Sequence, residues 1–294
     1  MSAPGTPIAP MAGVARAAVR GEASALALGV RALSLDQPDG RRALDAIDIA
    51  VRPGERVAII GPSGAGKTSL LRILAVAKRQ SEGELQVLGE DPWALGASGR
   101  RALRRRVGLI HQAPPLPPRQ RVVTAVLAGR LGAWSLLRSL VSLAYPLDVA
   151  GARAALARLD LSDRVFDRCD RLSGGQAQRV GIARVIYQRP EVILADEPVS
   201  SLDPALANHA VGVLVSEAIE RDITLVASLH AVDLALAHFP RIIGLRDGKV
   251  LFDLPTERIE DAMLEALYSQ EGFAPTQHGR ALELSAQRLR GMAQ

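Results

Sequence analysis

The segment Gly61-Pro62-Ser63-Gly64-Ala65-Gly66-Lys67-Thr68, continued by Ser69, has the G-x-x-x-x-G-K-[ST] spacing of a loop that wraps phosphate groups. Its glycines let successive backbone N–H groups converge on an anion, and the helix N-terminus behind them adds partial positive charge. Lys67 is placed to reach the β- and γ-phosphates of a nucleotide, and the Thr68 hydroxyl to ligate Mg²⁺. Lysine recurs only at 78 and 249, so Lys67 stands out in a chain whose cations are almost all arginine. Further on, Val192-Ile193-Leu194-Ala195-Asp196-Glu197 is an apolar run ending in two acids. Asp196 is positioned to hold Mg²⁺ through water, and Glu197 to orient or deprotonate an attacking water. An acid pair before Pro198 could instead serve the next helix, a reading that the phosphate loop weakens. Leu172-Ser173-Gly174-Gly175-Gln176 opens a helix running through Arg179 and Arg184, with Ser173 in the cap region. A second anion-binding helix end is redundant beside a complete phosphate loop in one molecule. Across a dimer it makes sense.

The elements that must carry these residues follow from the apolar pattern. Buried strands are expected at Ala25–Leu35, Ala46–Val51, Arg56–Ile60, Val107–His111, Val192–Ala195, Thr224–Leu229 and Arg241–Leu245. Asp36-Gln37-Pro38-Asp39-Gly40 and Arg52-Pro53-Gly54-Glu55 read as hairpin-type turns, which predicts a small antiparallel sheet beside the main one. Helices are expected at Lys67–Ala77, Gly151–Leu159, Gly174–Gln188, Pro204–Glu220 and His230–Ala237. The stretch from Val122 to the strand near 193 reads as almost wholly helical, an insertion into the core, and Pro114-Pro115-Leu116-Pro117-Pro118 as a stiff loop. The fold class expected is α/β: a P-loop NTPase core with a mixed, mainly parallel sheet, a small antiparallel β subdomain and an inserted helical subdomain. In residue terms this gives a disordered tail over 1–24, an ATPase domain over 25–255 with the helical subdomain at 113–188, and a C-terminal helical extension over 256–294. In that extension Ile259, Met263, Leu264 and Leu267 space one amphipathic helix, and Leu282, Ala286 and Leu289 another.

Composition bounds the partners. A length of 294 residues with 48% hydrophobic residues suffices for one large α/β core and an appendage. The net charge of +5 is compatible with nucleic acid, with anionic lipid or with nothing specific, since the arginines are scattered. The tightest cluster, Arg100, Arg101, Arg104, Arg105 and Arg106, reads as a solvated helix face. A lone cysteine, Cys169, rules out an internal disulfide and suits a reducing compartment. Arg16, Arg20 and Glu22 interrupt the apolar core that a signal peptide needs. The most apolar stretch, Leu131–Leu147, carries Arg138 and Pro146 and falls short of the roughly 18 residues of a spanning helix. Membrane association is therefore expected through a partner.

With these motifs in order, the segment from about Ala25 to Leu254 resembles the ATP-binding cassette family of transport ATPases. The resemblance implies a homodimer in which Ser173, Gly174, Gly175 and Gln176 of one subunit cover the ATP held by the phosphate loop of the other. It further implies that Asp203 of Ser200-Ser201-Leu202-Asp203 communicates across the dimer, that Gln112 senses Mg²⁺ and the membrane subunit, and that His230 is a switch near the γ-phosphate. ATP and Mg²⁺ are the cofactors implied, and integral membrane permease subunits, served by a periplasmic solute-binding protein, are the partners. The implied location is the cytoplasmic face of the cell inner membrane, peripherally bound, with no nucleic acid partner. Family members place an aromatic side chain near Gln37 to stack on adenine, and this chain has none there. Around Gln112, His111 and the Pro114–Pro118 run replace the usual aromatic and polar residues.

More particular stretches, Val126-Leu127-Ala128-Gly129-Arg130-Leu131-Gly132, Ile193–Asp203, Leu229–Leu236 and Arg241–Gly248, are similar to the ATP-binding subunit of bacterial phosphonate importers. That resemblance implies ATP-driven phosphonate uptake. Importers of phosphite or phosphate esters, and soluble cassette ATPases outside transport, remain alternatives, because no residue of this chain would touch the cargo.

Overall fold

The computed structural model describes residues 26–269. The expected tail and the expected helix around Leu282–Leu289 lie outside the described residues. Strands β1 (Leu28–Asp36) and β2 (Arg42–Val51) form an antiparallel pair across the Gln37–Gly40 turn, where the Gly40 amide donates to the Gln37 carbonyl. The Arg52–Glu55 turn instead leads into a different sheet, to β3 (Arg56–Ile60), and is not a hairpin. The phosphate loop and α1 (Lys67–Leu74) follow; the helix stops short of the predicted Ala77 because Val76 turns to φ 56°.

Next come β4 (Glu82–Val87), α2 (Ala97–Arg106) and β5 (Val107–Ile110). The helical stretch contains α3 (Val122–Leu127), α4 (Leu136–Ala144), α5 (Val149–Ala157) and α6 (Gly174–Gln188). The chain then alternates through β6 (Val192–Asp196), α7 (Pro204–Glu220), β7 (Thr224–Ser228), α8 (Val232–His238) and β8 (Arg241–Arg246). It closes with β9 (Lys249–Pro255) and α9 (Asp261–Tyr268).

The small sheet has the order β2-β1-β4 and the large sheet β5-β6-β7-β3-β8-β9. All neighbours in the large sheet are parallel except β8 with β9. Its inner strands read as unbroken apolar runs because both faces are covered. Alternate residues go to opposite layers: Ala58, Ile60, Ile193, Ala195, Leu225 and Ala227 join the core under the helices, while Val57, Ile59, Val192, Leu194 and Val226 join the core shared with α1 and the small sheet. This fixes the strand ends in one row, since Ser228 pairs with both Ile59 and Asp196. Strands β3, β6, β7 and β5 thus deliver their C-terminal residues to one edge, where α/β sheets hold ligands.

Candidate active site

At that edge the phosphate loop leaves β3 with Gly61 at φ +151°, a conformation in which a Cβ would sit 1.9 Å from the Leu245 carbonyl oxygen. Gly64 and Gly66 are also left-handed, at φ +80° and +104°, so the loop can turn its amides inward. Lys67 is 4% exposed, and its Nζ donates to the carbonyls of Gly61 at 2.7 Å and Pro62 at 3.0 Å. The ammonium thus lies across the mouth of the loop, where phosphate oxygens would compete for it.

Thr68, in the first turn of α1, and Asp196, at the end of β6, meet: the Thr68 hydroxyl donates to Asp196 Oδ1 at 3.0 Å. The Ser228 hydroxyl donates to the same oxygen at 3.1 Å and accepts the Glu197 amide at 3.0 Å. Glu197 itself has φ +47°, unusual for a residue with a side chain. Its carboxylate is held on both sides, by Gln112 Nε2 at 2.7 Å on Oε2 and by His230 Nε2 at 2.6 Å from Oε1. Four sequence-predicted residues, Asp196, Glu197, Gln112 and His230, are therefore drawn around one point with Thr68.

Sequence reasoning missed Gln178 and Ser228. Gln178 is 1% exposed; its amide nitrogen donates to the Glu197 carbonyl at 2.8 Å and to Ser200 Oγ at 3.3 Å, and its Oε1 accepts the Ser201 amide at 2.9 Å. One side chain on α6 thus ties this helix, whose start carries the Leu172–Gln176 signature segment, to Glu197 and to the Ser200–Asp203 loop. No local signal marks it, because its partners come from other elements.

The signature residues form a capping box: Ser173 Oγ accepts the Gln176 amide, and the Gln176 side chain accepts the Ser173 amide. Gly175 packs so closely on the Ser200–Asp203 loop that a Cβ would fall 2.9 Å from the Leu202 side chain. Asp203 caps α7 through the amides of Ala205 and Leu206. The signature and this loop therefore form one surface.

The donor set suits Mg²⁺ brought in with a nucleotide. Among the described residues there is no cluster of three or more His, Cys, Asp or Glu side chains able to hold a metal ion. A cation here has the Asp196 carboxylate and the Thr68 hydroxyl and must draw further oxygens from phosphate, the usual habit of Mg²⁺.

A left-handed glycine loop with a buried lysine after β3, an acid pair at the end of β6 two strands along the same sheet, and the parallel order β6-β7-β3 that lines up their ends define a phosphate-loop ATPase. The chain belongs to the ABC transporter family, whose model matches residues 44–200. It is 63% identical over 246 residues to the phosphonates import ATP-binding protein PhnC 1 of Pseudomonas aeruginosa, covering 84% of this chain and 92% of that protein. It is 60% identical to PhnC 1 of Cupriavidus necator, covering 84% of this chain and 89% of the other. Among solved structures, the ATP-binding cassette MJ0796, a dimer in a post-hydrolysis state bound to ADP and Pi, superposes with a TM-score of 0.69 at 26% identity, covering 78% of this chain and 98% of the other. The chain is thus an ATP-binding subunit with ATPase activity.

Proposed function

We propose that this chain drives phosphonate import, working as a homodimer on the cytoplasmic face of the inner membrane beneath permease subunits fed by a periplasmic solute-binding protein. The cargo assignment is supported by the identity to proteins whose names state phosphonate import. Among the described residues no helix is long and apolar enough to cross a membrane, so contact with a permease would be peripheral.

The observation that carries the chemistry is the grip on Glu197 between Gln112 and His230, beside the Thr68–Asp196 pair. In this reading the amides of Gly61–Ser69 and Lys67 bind the nucleotide phosphates, while Thr68, Asp196 and Gln112 hold Mg²⁺. When bound there, Mg²⁺ would neutralise charge on the phosphate oxygens. Glu197 accepts the proton of the attacking water at its carboxylate, and it does so once Gln112 or His230 lets one oxygen go. Ser173, Gly174, Gly175, Gln176 and Asp203 act across the dimer on the other subunit's nucleotide. Residues 113–188 serve as a helical subdomain within an ATPase domain over 25–255, and 256–294 as an extension.

A groove of about 430 Å³ between α2, α6 and the loop after Gln112 supports the permease contact. Arg100, Arg101, Arg104, Arg105, Arg184 and His111 line it, with no Asp or Glu. Burial holds the Arg184 guanidinium below its ordinary pKa, and burial followed by Arg72 and Arg184 lowers that of His111. An acidic cytoplasmic segment of a permease fits such a wall, next to the loop that carries Gln112.

In the test, Glu197→Gln retains ATP, accumulates dimer and loses hydrolysis by on the order of a hundredfold or more; unchanged turnover removes Glu197 from this role. For the cargo, a phosphonate-loaded binding protein stimulates the ATPase of the reconstituted complex, and stimulation only by another oxyanion reassigns it.

A further inference from the structure

The first peptide of the phosphate loop is clamped by a residue far outside the family match at 44–200. β3 ends at Ile60, whose last pairing is with Gly244 of β8, so the Gly61 amide has no ladder partner in the sheet. It donates instead to the Tyr268 hydroxyl at 3.1 Å, inside the core. Tyr268 is 6% exposed and, with Leu264 and Leu267, shares a core cluster with Ile60. On the other side of Gly61, its carbonyl accepts Lys67 Nζ at 2.7 Å. Both peptides that flank the left-handed Gly61 are therefore fixed, one by Tyr268 and one by the lysine.

The same end of β8 supplies the rest of the frame. The Leu245 carbonyl lies against the Gly61 α-carbon, and the Gly248 amide donates to the Ala65 carbonyl at 3.1 Å, holding the middle of the loop. Arg246 ties α9 to β8 through the Ala266 carbonyl and the Ser269 hydroxyl. We infer that Tyr268 is a positioning residue for ATP: α9 docks on β8 and sets the trajectory of the phosphate loop through the Gly61 amide, so α9 is part of the nucleotide site. This rests on the reading that Gly61–Ser69 binds the nucleotide phosphates.

Tyr268→Phe in the full chain is the test, because it keeps the ring in the core and removes only the oxygen. A buried amide left without an acceptor is costly, and a share of that cost falls on the loop geometry that binds phosphate. The KM for MgATP is expected to rise about fivefold with kcat within about twofold, while hydrogen exchange at the Gly61 amide speeds about tenfold or more. Arg246→Ala, which loosens α9 from outside the loop, is expected to shift KM and exchange in the same direction by less, and it decides the matter if Tyr268→Phe does not fold. A Tyr268→Phe chain with wild-type KM overturns the clamp, whatever its thermal stability, since packing alone would change stability and leave the KM in place. A wild-type chain that fails to bind MgATP overturns the site reading and the clamp together; normal wild-type binding with a silent Tyr268→Phe overturns the clamp alone.

Discussion

Glu197 shows how a side chain is aimed by bonds to its own backbone. Its left-handed φ of 47° costs on the order of 1–3 kcal/mol and persists only where the surroundings enforce it. Here Ser228 takes the Glu197 amide through both its hydroxyl and its carbonyl, and Gln178 takes the Glu197 carbonyl. The peptide is thereby fixed on each side, and the carboxylate projects toward Gln112 and His230. Gln178→Leu preserves bulk but leaves the Glu197 carbonyl and the Ser201 amide without their partner. We expect kcat to fall about tenfold with ATP affinity nearly unchanged, and stability in urea to drop by about 1–3 kcal/mol. Unchanged kcat in a folded Gln178→Leu chain removes Gln178 from the alignment of Glu197.

At the scale of elements, the helical stretch is locked by a small polar joint between α5 and α6. Asp148 caps α5 by accepting the Gly151 amide at 2.8 Å, and its other oxygen accepts the Tyr187 hydroxyl of α6 at 2.8 Å. Arg130 lies over the Tyr187 ring, 4.8 Å from its centre. The Gly151 bond, with that of Tyr187, lowers the Asp148 pKa, while burial and then Asp148 push the Tyr187 phenol up to about 12. A folded pKa above the unfolded value of about 10 means that the native state keeps the proton more tightly. This contribution to stability is complete below about pH 10 and is lost as the pH rises to about 12. Alkaline titration of phenolate absorbance, compared with Tyr187→Phe, is expected to show the missing component near 12; a component near 10 refutes the joint.

Legibility at this scale follows burial. Strands β3, β6 and β7 were readable because both faces are covered and the runs are continuously apolar. β4 and β9 were not foreseen: β4 lies at the edge of the small sheet and buries only Leu85 and Val87, and β9 lies at the edge of the large sheet and buries none of its residues below the surface layer. Helix α2 carries the expected solvated arginine face, with Arg101, Arg104 and Arg105 exposed; in addition Arg106 pairs with Glu191 and Glu90, and its neighbours wall the groove. At α4 the apolar run points outward, with Leu136, Leu137 and Leu140 exposed while Ser142 is buried.

At the scale of the molecule, nucleotide edge, signature surface and arginine groove meet around the Gln112 loop. A change in the groove can therefore reach Glu197 through Gln112, and a change at the nucleotide can reach the groove by the same path. Charge reversal at Arg104 and Arg105 to Glu is expected to weaken association with the permease by on the order of tenfold, mostly through slower capture that salt no longer modulates. Co-purification across a salt series measures this; retention equal to wild type places the permease contact elsewhere.

The candidate site residues were legible in the sequence alone, because a phosphate-binding loop calls for glycine, lysine and hydroxyl at fixed local spacing and a buried strand must end where its acids begin. Fold class and family followed from their order along the chain. Which side chains serve those residues was decided only by tertiary structure: Ser228, Gln178 and Tyr268 reach Asp196, Glu197 and Gly61 across 32, 19 and 207 positions of sequence. Such pairings arise because the strand order β5-β6-β7-β3-β8 brings distant strand ends to one edge, and the apolar layers hold them there. Local pattern encodes how a residue lies in its own element; its neighbour from another element is encoded only by the packing of the whole sheet.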